Sequence, residues 1–144
     1  MTHEDKGHFS KKHPETRKPR PDVTAAVKEK AVDGTLSCAA AHRIARDLDV
    51  PPEEVGFTMD FLEIRMVKCQ MGLYGHWPEK RIVKPLETVP GNLESAIRAA
   101  LVDGRLPCAR AWDIARDLDL GKMTVSGACE ALKIKISACQ LGAF

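Results

Sequence analysis

The chain is poor in aromatic residues and has no long apolar run. Aromatic side chains make up 5% of its 144 residues, so a core must be filled mainly by the aliphatic part of the 44% hydrophobic residues. No apolar segment approaches the roughly 20 residues that a bilayer-spanning helix needs. The first 22 residues are polar and unlike a secretory signal peptide. These absences predict a cytoplasmic protein without a membrane partner.

The sequence also lacks the patterns of common catalytic and metal sites. No nucleophile stands beside a recognisable base, and neither a paired-carboxylate site nor a phosphate-binding glycine loop is evident. The five cysteines include no CxxC pair. Without a secretory signal, these cysteines are expected to be reduced thiols. We therefore expect no enzymatic activity and no cofactor.

Charge is distributed unevenly along the chain. Residues 1–22 hold six Lys/Arg and four Asp/Glu, which accounts for the whole net charge of +2 and leaves the other 122 residues neutral. A neutral body does not favour strong, sequence-independent binding of nucleic acid. The tail has almost nothing apolar to bury, so residues 1–22 are expected to form a disordered basic arm.

The clearest positive feature is an internal repeat. Aligning residues 23–74 with residues 93–144, at an offset of 70 and without a gap, pairs 20 identical residues in 52 positions, including IARDLD in both copies. Residues 75–92 between the copies form a Pro-rich linker, expected to dock through Trp77 and Ile82. Each copy is near the lower size limit for independent stability, so the copies are expected to pack together or to dimerise.

The second copy shows the helical pattern more clearly. Asn92 is a good N-cap, and apolar residues follow at helical spacing until Asp103-Gly104. Pro107 suits the first turn of a second helix, and the capping residue Ser37 is its partner in the first copy. The expected core stripe of the second and third helices is Cys108, Ala111, Ile114, Ala115, Leu118, Val125, Ala128, Cys129 and Leu132. A short β-prone segment closes each copy as a wing or a strap.

The segment IARDLDLGKMTVSGACEAL resembles the core of bacterial helix-turn-helix DNA-binding domains. The positions that match the family pattern are Ile114, Ala115, Leu118, Leu120, Val125 and Ser126. Asp119, and Asp49 in the first copy, replace the usual turn glycine, and Asp tolerates a left-handed conformation. The resemblance implies a mainly α fold: a tandem repeat of two tri-helical helix-turn-helix units, each with a short β or wing-like C-terminal segment.

The same resemblance implies double-stranded DNA as the partner and a small transcriptional regulator as the function. The residues expected to contact DNA, all in the second copy, are Lys122, Thr124, Ser126, Gly127, Lys133 and Lys135. The first copy carries Glu53 and Glu54 at the corresponding helix start, which makes it a poor DNA reader. The alternative is a protein-interaction or assembly module that has kept the helix-turn-helix core without binding DNA.

Two further sets of residues have competing interpretations. Phe57 and Phe61 lie one turn apart in the third helix of the first copy; they are either interface anchors, for packing between copies or for a homodimer, or part of that copy's own core. The four cysteines that are paired by the repeat could sense metal or redox state, or could be buried structural thiols, and the last is favoured because they fall on the apolar stripe. They are Cys38, Cys69, Cys108 and Cys139.

Overall fold

The protein is a small mixed α/β protein in which the same order of elements occurs twice. A computed structural model describes residues 13, 14, 16–76, 78, 79 and 81–144. The first half contains α1 (Pro21–Lys30), β1 (Thr35–Ser37), α2 (Cys38–Asp47), α3 (Pro52–Phe61) and β2 (Arg65–Val67). The second half contains α4 (Gly91–Ala99), β3 (Leu106–Pro107), α5 (Cys108–Asp117), α6 (Lys122–Ala131) and β4 (Ile136–Ser137). Within the described ranges, no helix combines the length and apolar character needed to cross a membrane.

The chain divides into two compact units with an exchange of segments. Unit 1 extends to Cys69 and also includes Gln140–Phe144, whereas unit 2 is Gln70–Cys139. The segment after β2 therefore belongs to unit 2, and the segment after β4 belongs to unit 1. In unit 1, the carbonyl oxygen of Leu141 occupies the position that a Cβ at residue 56 would need, so only glycine fits there.

The helix faces that the apolar spacing predicts do form the core. Val23 and Val27 of α1 are 0% exposed, as are Leu93 and Ile97 of α4. The predicted stripe is confirmed except at Leu118 and Leu132, which are half-buried; its buried members are Cys108, Ala111, Ile114, Ala115, Val125, Ala128 and Cys129. Ile44 and Ile114, the two copies of one position, are 5% and 7% exposed. These two positions therefore have equivalent burial.

The turns explain where the first helix of the second half stops. The expectation that Asn92 caps this helix is wrong, because α4 begins at Gly91 after Pro90, and the Asn92 side chain accepts a hydrogen bond from the Leu93 amide instead. The helix also ends at Ala99, before Asp103-Gly104. Residues 102 and 105 pair as an isolated antiparallel bridge, and Asp103-Gly104 supply the positive-φ turn that this bridge requires.

The turn between the second and third helices agrees with the sequence prediction. Asp49 and Asp119 have φ values of 53° and 54°, so both aspartates adopt the left-handed conformation expected of a turn residue that replaces glycine. The amides of the next residues, Val50 and Leu120, donate hydrogen bonds to the carbonyls of Ala45 and Ala115 in the preceding helix. The angle between the second and third helices is therefore set in the same way in both units.

The β-prone segments form a parallel pair and not a wing hairpin. β2 pairs with β1 from Thr35↔Arg65 to Ser37↔Val67, and β4 pairs with β3 at Leu106↔Ile136 and Pro107↔Ser137. The expectation of a wing is corrected, because a wing is an antiparallel ribbon whereas a parallel pair must be joined by a long crossover. Here the crossover is the pair of helices α2 and α3, or α5 and α6.

Candidate functional site

Two of the predicted DNA contacts lie on the first turn of α6. Lys122 Nζ is 4.4 Å from the centroid of the Trp112 ring on α5, a cation–π contact that holds the ammonium at the start of the helix. Lys122 and Thr124 are both half-buried. Unit 1 has no equivalent contact, since His42 and Pro52 occupy the corresponding positions. The start of α6 thus offers one positioned cation and one hydroxyl.

Two other predicted contacts are inside unit 2. Ser126 is 2% exposed, and its hydroxyl has no hydrogen-bond partner in the part of the chain that the structure describes. Gly127 is covered by residues 83–90, the linker strap: its carbonyl accepts a hydrogen bond of 3.1 Å from the Leu86 amide, and a Cβ there would lie 2.7 Å from the Lys84 carbonyl oxygen. The linker was expected to dock through Trp77 and Ile82: the Ile82 amide donates to the Gly72 carbonyl at 2.9 Å, whereas Trp77 lies outside the described residues. The contact with Gly127 was not expected, and it removes Gly127 from the candidate surface, as burial removes Ser126.

The remaining predicted contacts belong to a group of three cations, here called the basic cluster: Arg105, Lys133 and Lys135. All three are exposed, and no ion pair joins any of them to another described residue. Arg105 and Lys135 immediately precede the paired residues of β3 and β4, and the Leu106 amide donates to the Lys135 carbonyl at 2.9 Å. Asp103 in the adjacent turn offsets one of these charges. The corresponding residues of unit 1 are Thr35, Glu63 and Arg65, which carry no net charge.

A network of polar contacts lies in unit 1, where side chains of residues 13, 14 and 16–20, here called the N-terminal strap, contact α3. Arg17 donates to Glu53 at 2.8 Å and 3.2 Å and to Glu54 at 3.1 Å. His13 Nε2 lies 2.7 Å from Asp60 Oδ2, and the side chains of this pair are 21% and 13% exposed. The acidic start of α3, which complements the helix dipole, therefore also holds the strap.

The strap also covers the aromatic residues of α3. The Arg17 guanidinium lies 3.8 Å from the centroid of Phe57, and the His13 ring meets Phe57 edge-on at 4.8 Å. Lys18 Nζ is 5.5 Å from the centroid of Phe61. Phe57 is consequently 2% exposed, whereas Phe61 is 39% exposed. The five α3 residues that contact the strap form an acidic–aromatic surface, which consists of Glu53, Glu54, Phe57, Asp60 and Phe61.

These contacts alter the role expected for the tail. Residues 1–12 lie outside the described residues, but Arg17 and Lys18 are held on α3, and Arg20 forms an ion pair of 2.7 Å with Asp22 at the start of α1. Hydrogen bonding from Arg17 lowers the pKa of Glu53, and the same bond raises the pKa of Arg17. The described part of the tail is therefore a strap whose cations have partners, and not an arm that is available to DNA.

The cysteines mostly belong to the core. Cys38, Cys69, Cys108 and Cys129 are buried, and Cys139 is half-buried. Burial, with a smaller effect of Glu130, raises the pKa of the Cys129 thiol to about 11, so this thiol stays protonated at neutral pH and is a poor nucleophile. Among the residues that the structure describes, no group of three or more His, Cys, Asp or Glu side chains could hold a metal ion.

Comparison with protein-family models, with curated protein sequences and with solved structures finds no match to this chain.

Proposed function

We propose that the chain is a DNA-binding protein built from two helix-turn-helix units, and that unit 2 contacts the DNA. The observation that carries the proposal is the basic cluster, which is exposed, has no ion pair to another described residue, and has no counterpart at the corresponding positions of unit 1. Lys and Arg side chains of this kind bind phosphate oxygens and release counterions, which supplies most of the affinity of sequence-independent DNA binding. A role as a small transcriptional regulator follows if the start of α6 adds sequence preference.

The burial of Ser126 and Gly127 limits how α6 can read bases. A recognition helix usually presents its first residues and one outer face to the major groove. In unit 2 the linker strap lies over Gly127, so of the contacts predicted on α6 only Lys122 and Thr124, on the first turn, are left to reach base edges. We therefore propose that phosphate contacts dominate the binding and that base discrimination is weak.

The salt dependence of binding to a labelled DNA duplex tests this proposal. The slope of log K against log salt should fall by about 0.9 for each phosphate contact removed, so Lys133→Ala and Lys135→Ala should each reduce it by roughly that amount. Arg65→Ala is the matched control, because Arg65 occupies the position of Lys135 in unit 1; it should leave the slope unchanged. An unaltered slope in both lysine variants, or no binding at low salt, would refute the proposal.

A protein-interaction or assembly module is the second candidate. The observation that favours it is that both third helices are enclosed: residues 55–59 of α3 and residues 125–129 of α6 are all buried. A helix that is buried in this way is better suited to the core of a packed unit than to insertion into the major groove of DNA. This candidate predicts association of the chain with itself or with another protein, and no retardation of DNA at low salt.

A further inference from the structure

We propose that the acidic–aromatic surface of α3 also binds the N-terminal strap of a second copy, so that two chains exchange straps and form a dimer. The strap and its surface are matched by three separate contacts: Arg17 with Glu53 and Glu54, His13 with Asp60, and the same two strap residues with the Phe57 ring. Every copy carries one strap and one surface. A contact that fits within a chain therefore also fits between two chains, and the exchange closes with two-fold symmetry.

The way the strap is held makes exchange feasible. Among the described residues, no backbone hydrogen bond joins the strap to α3, and the contacts that hold it there are made by side chains. The ion pairs involved are partly open to solvent, with Arg17 at 32% and Glu53 at 58% exposure, and such pairs are individually weak. The linker strap of unit 2 differs, because its backbone is bonded to α6 through Leu86 and Gly127, and the preceding residue, Ile82, is bonded to Gly72.

The Phe57 ring explains why, when the strap leaves α3, the strap of a second chain takes its place. Without the strap, α3 would present Phe57 beside the already exposed Phe61, an apolar patch that favours association. The matching positions of unit 2 are Gly127 and Ala131, and the acidic pair is replaced by Met123 and Thr124. Unit 2 therefore has no equivalent surface, and the exchanged contact is specific to unit 1.

A short tether sets the concentration at which exchange competes with the closed chain. Pro19 and Arg20 join the strap contacts to α1, and a connection this short keeps the strap at a high effective concentration beside its own α3, so the closed monomer should dominate in dilute solution. Weakening the contact of the strap with its own chain, without weakening its contact with a second chain, should shift the equilibrium from the closed monomer to the exchanged dimer. Reversal of charge on one partner in each of two chains achieves that change.

The experiment mixes a strap variant, Arg17→Glu, with a surface variant, Glu53→Arg/Glu54→Arg. Each variant alone places like charges together, whereas the mixture offers two matched contacts, both between chains. We expect a one-to-one heterodimer in sedimentation velocity and native mass spectrometry, with association falling as salt rises. Arg20→Glu replaces Arg17→Glu in the matched control, and it should give no heterodimer because the partner of Arg20 is Asp22 in its own chain.

If both variants keep the helix content of the unaltered chain and the mixture sediments as monomers, the proposal is wrong. If a variant unfolds, a labelled peptide of residues 11–20 titrated onto the full-length Arg17→Ala chain decides the question. Saturable binding that is lost when the peptide also carries Arg17→Ala supports the exchange. Absence of binding at millimolar peptide overturns it.

Discussion

The two third helices show how one packing requirement is met by two kinds of chemistry. Both α3 and α6 bury five consecutive residues, and in both units the chain segment before the first helix crosses the third helix. The strap over α3 is held by cations and aromatic rings, and the strap over α6 is held by backbone contact at a glycine. Each third helix is therefore covered by a strap, and the sequence of each unit determines which contacts hold that strap.

The residue pair Phe57 and Gly127 accounts for this difference. At Gly127 the absence of a side chain lets the Lys84 carbonyl approach the helix, and backbone hydrogen bonding follows. At Phe57 a large ring occupies that space, so the strap is kept at side-chain distance and contacts the ring through Arg17 and His13. The segment over α6 is held by backbone contact, whereas the segment over α3 is held by side chains. A change of charge in those side chains can therefore weaken its attachment.

The largest expected effect comes from removing the Phe57 ring, which the N-terminal strap contacts. Phe57→Ala should lower the free energy of unfolding by about 3–5 kcal/mol, because it deletes a ring that is 2% exposed and leaves a cavity beneath the strap. Urea denaturation followed by circular dichroism measures the loss. Phe61→Ala is the natural control, since that ring is 39% exposed and should cost less than about 1 kcal/mol.

Equal losses in the two phenylalanine variants would contradict the described difference between these rings. If instead Phe57→Ala leaves stability unchanged but reduces association, the ring is an interface anchor and not part of the unit 1 core. The two interpretations that the sequence leaves open are thus separated by one pair of variants.

A second prediction tests the sealed cover of α6. Gly127→Ala should destabilise the chain by about 1–3 kcal/mol, because the new Cβ would lie 2.7 Å from the Lys84 carbonyl oxygen and 3.2 Å from a Leu86 methyl group. Gly91→Ala, in the first turn of α4, places its Cβ in open space and should be neutral or stabilising by up to about 1 kcal/mol. Similar effects at both glycines would show that the linker strap does not seal Gly127.

Sequence periodicity was sufficient for the helices and much of their core, but not for what covers them. The apolar stripes and the left-handed Asp49 and Asp119 follow from local spacing and local backbone preference, which a sequence displays directly. The parallel pairing of β1 with β2 depends on residues about 30 positions apart, and nothing in so short a strand specifies a partner. Local prediction therefore left a wing or a strap open where the fold has one strand of a parallel pair.

The N-terminal strap escaped prediction for a different physical reason. Disorder was expected because residues 1–22 have little apolar surface to bury, yet the strap binds through ion pairs and cation–π contacts, which an apolar measure does not count. Likewise, Ser126 and Gly127 have the small or polar character of surface residues, and only the tertiary structure shows that they are buried. The basic cluster was found in part, because Lys133 and Lys135 are close in sequence whereas Arg105 joins them through the strand pairing.

A third prediction concerns the pH dependence of the α3 cover. Since Arg17 lowers the pKa of Glu53 in the folded chain, this pair stabilises the fold above the unfolded value of 4.5 and ceases to do so as pH falls through the lower folded value. A double-mutant cycle of Arg17→Ala and Glu53→Gln should give a coupling of about 0.2–1 kcal/mol at neutral pH, in the range of exposed pairs. The coupling should disappear in acid and shrink with added salt.

Glu29→Gln provides the comparison for that cycle. Glu29 is exposed on α1, and no ion pair links it to another described residue, so its coupling to Arg17→Ala should be zero at every pH. A coupling between Arg17 and Glu53 that persists in acid would assign the effect to packing of Arg17 on Phe57 and not to charge.

The last prediction concerns the sign of the effect at the buried hydroxyl of α6. Ser126 is 2% exposed, and its Oγ has no hydrogen-bond partner in the described part of the chain, whereas the buried Thr58 hydroxyl of α3 donates to the Glu54 carbonyl at 2.9 Å. Burial of an unsatisfied hydroxyl carries a desolvation cost that alanine does not have. Ser126→Ala should therefore be neutral or stabilising by up to about 1 kcal/mol, while Thr58→Val, which loses a satisfied hydrogen bond, should destabilise by about 0.5–1.5 kcal/mol. Chemical denaturation of the two variants side by side measures both signs. A clear loss of stability in Ser126→Ala would mean that this hydroxyl has a partner in solution, such as an ordered water, and that α6 is less tightly sealed than α3.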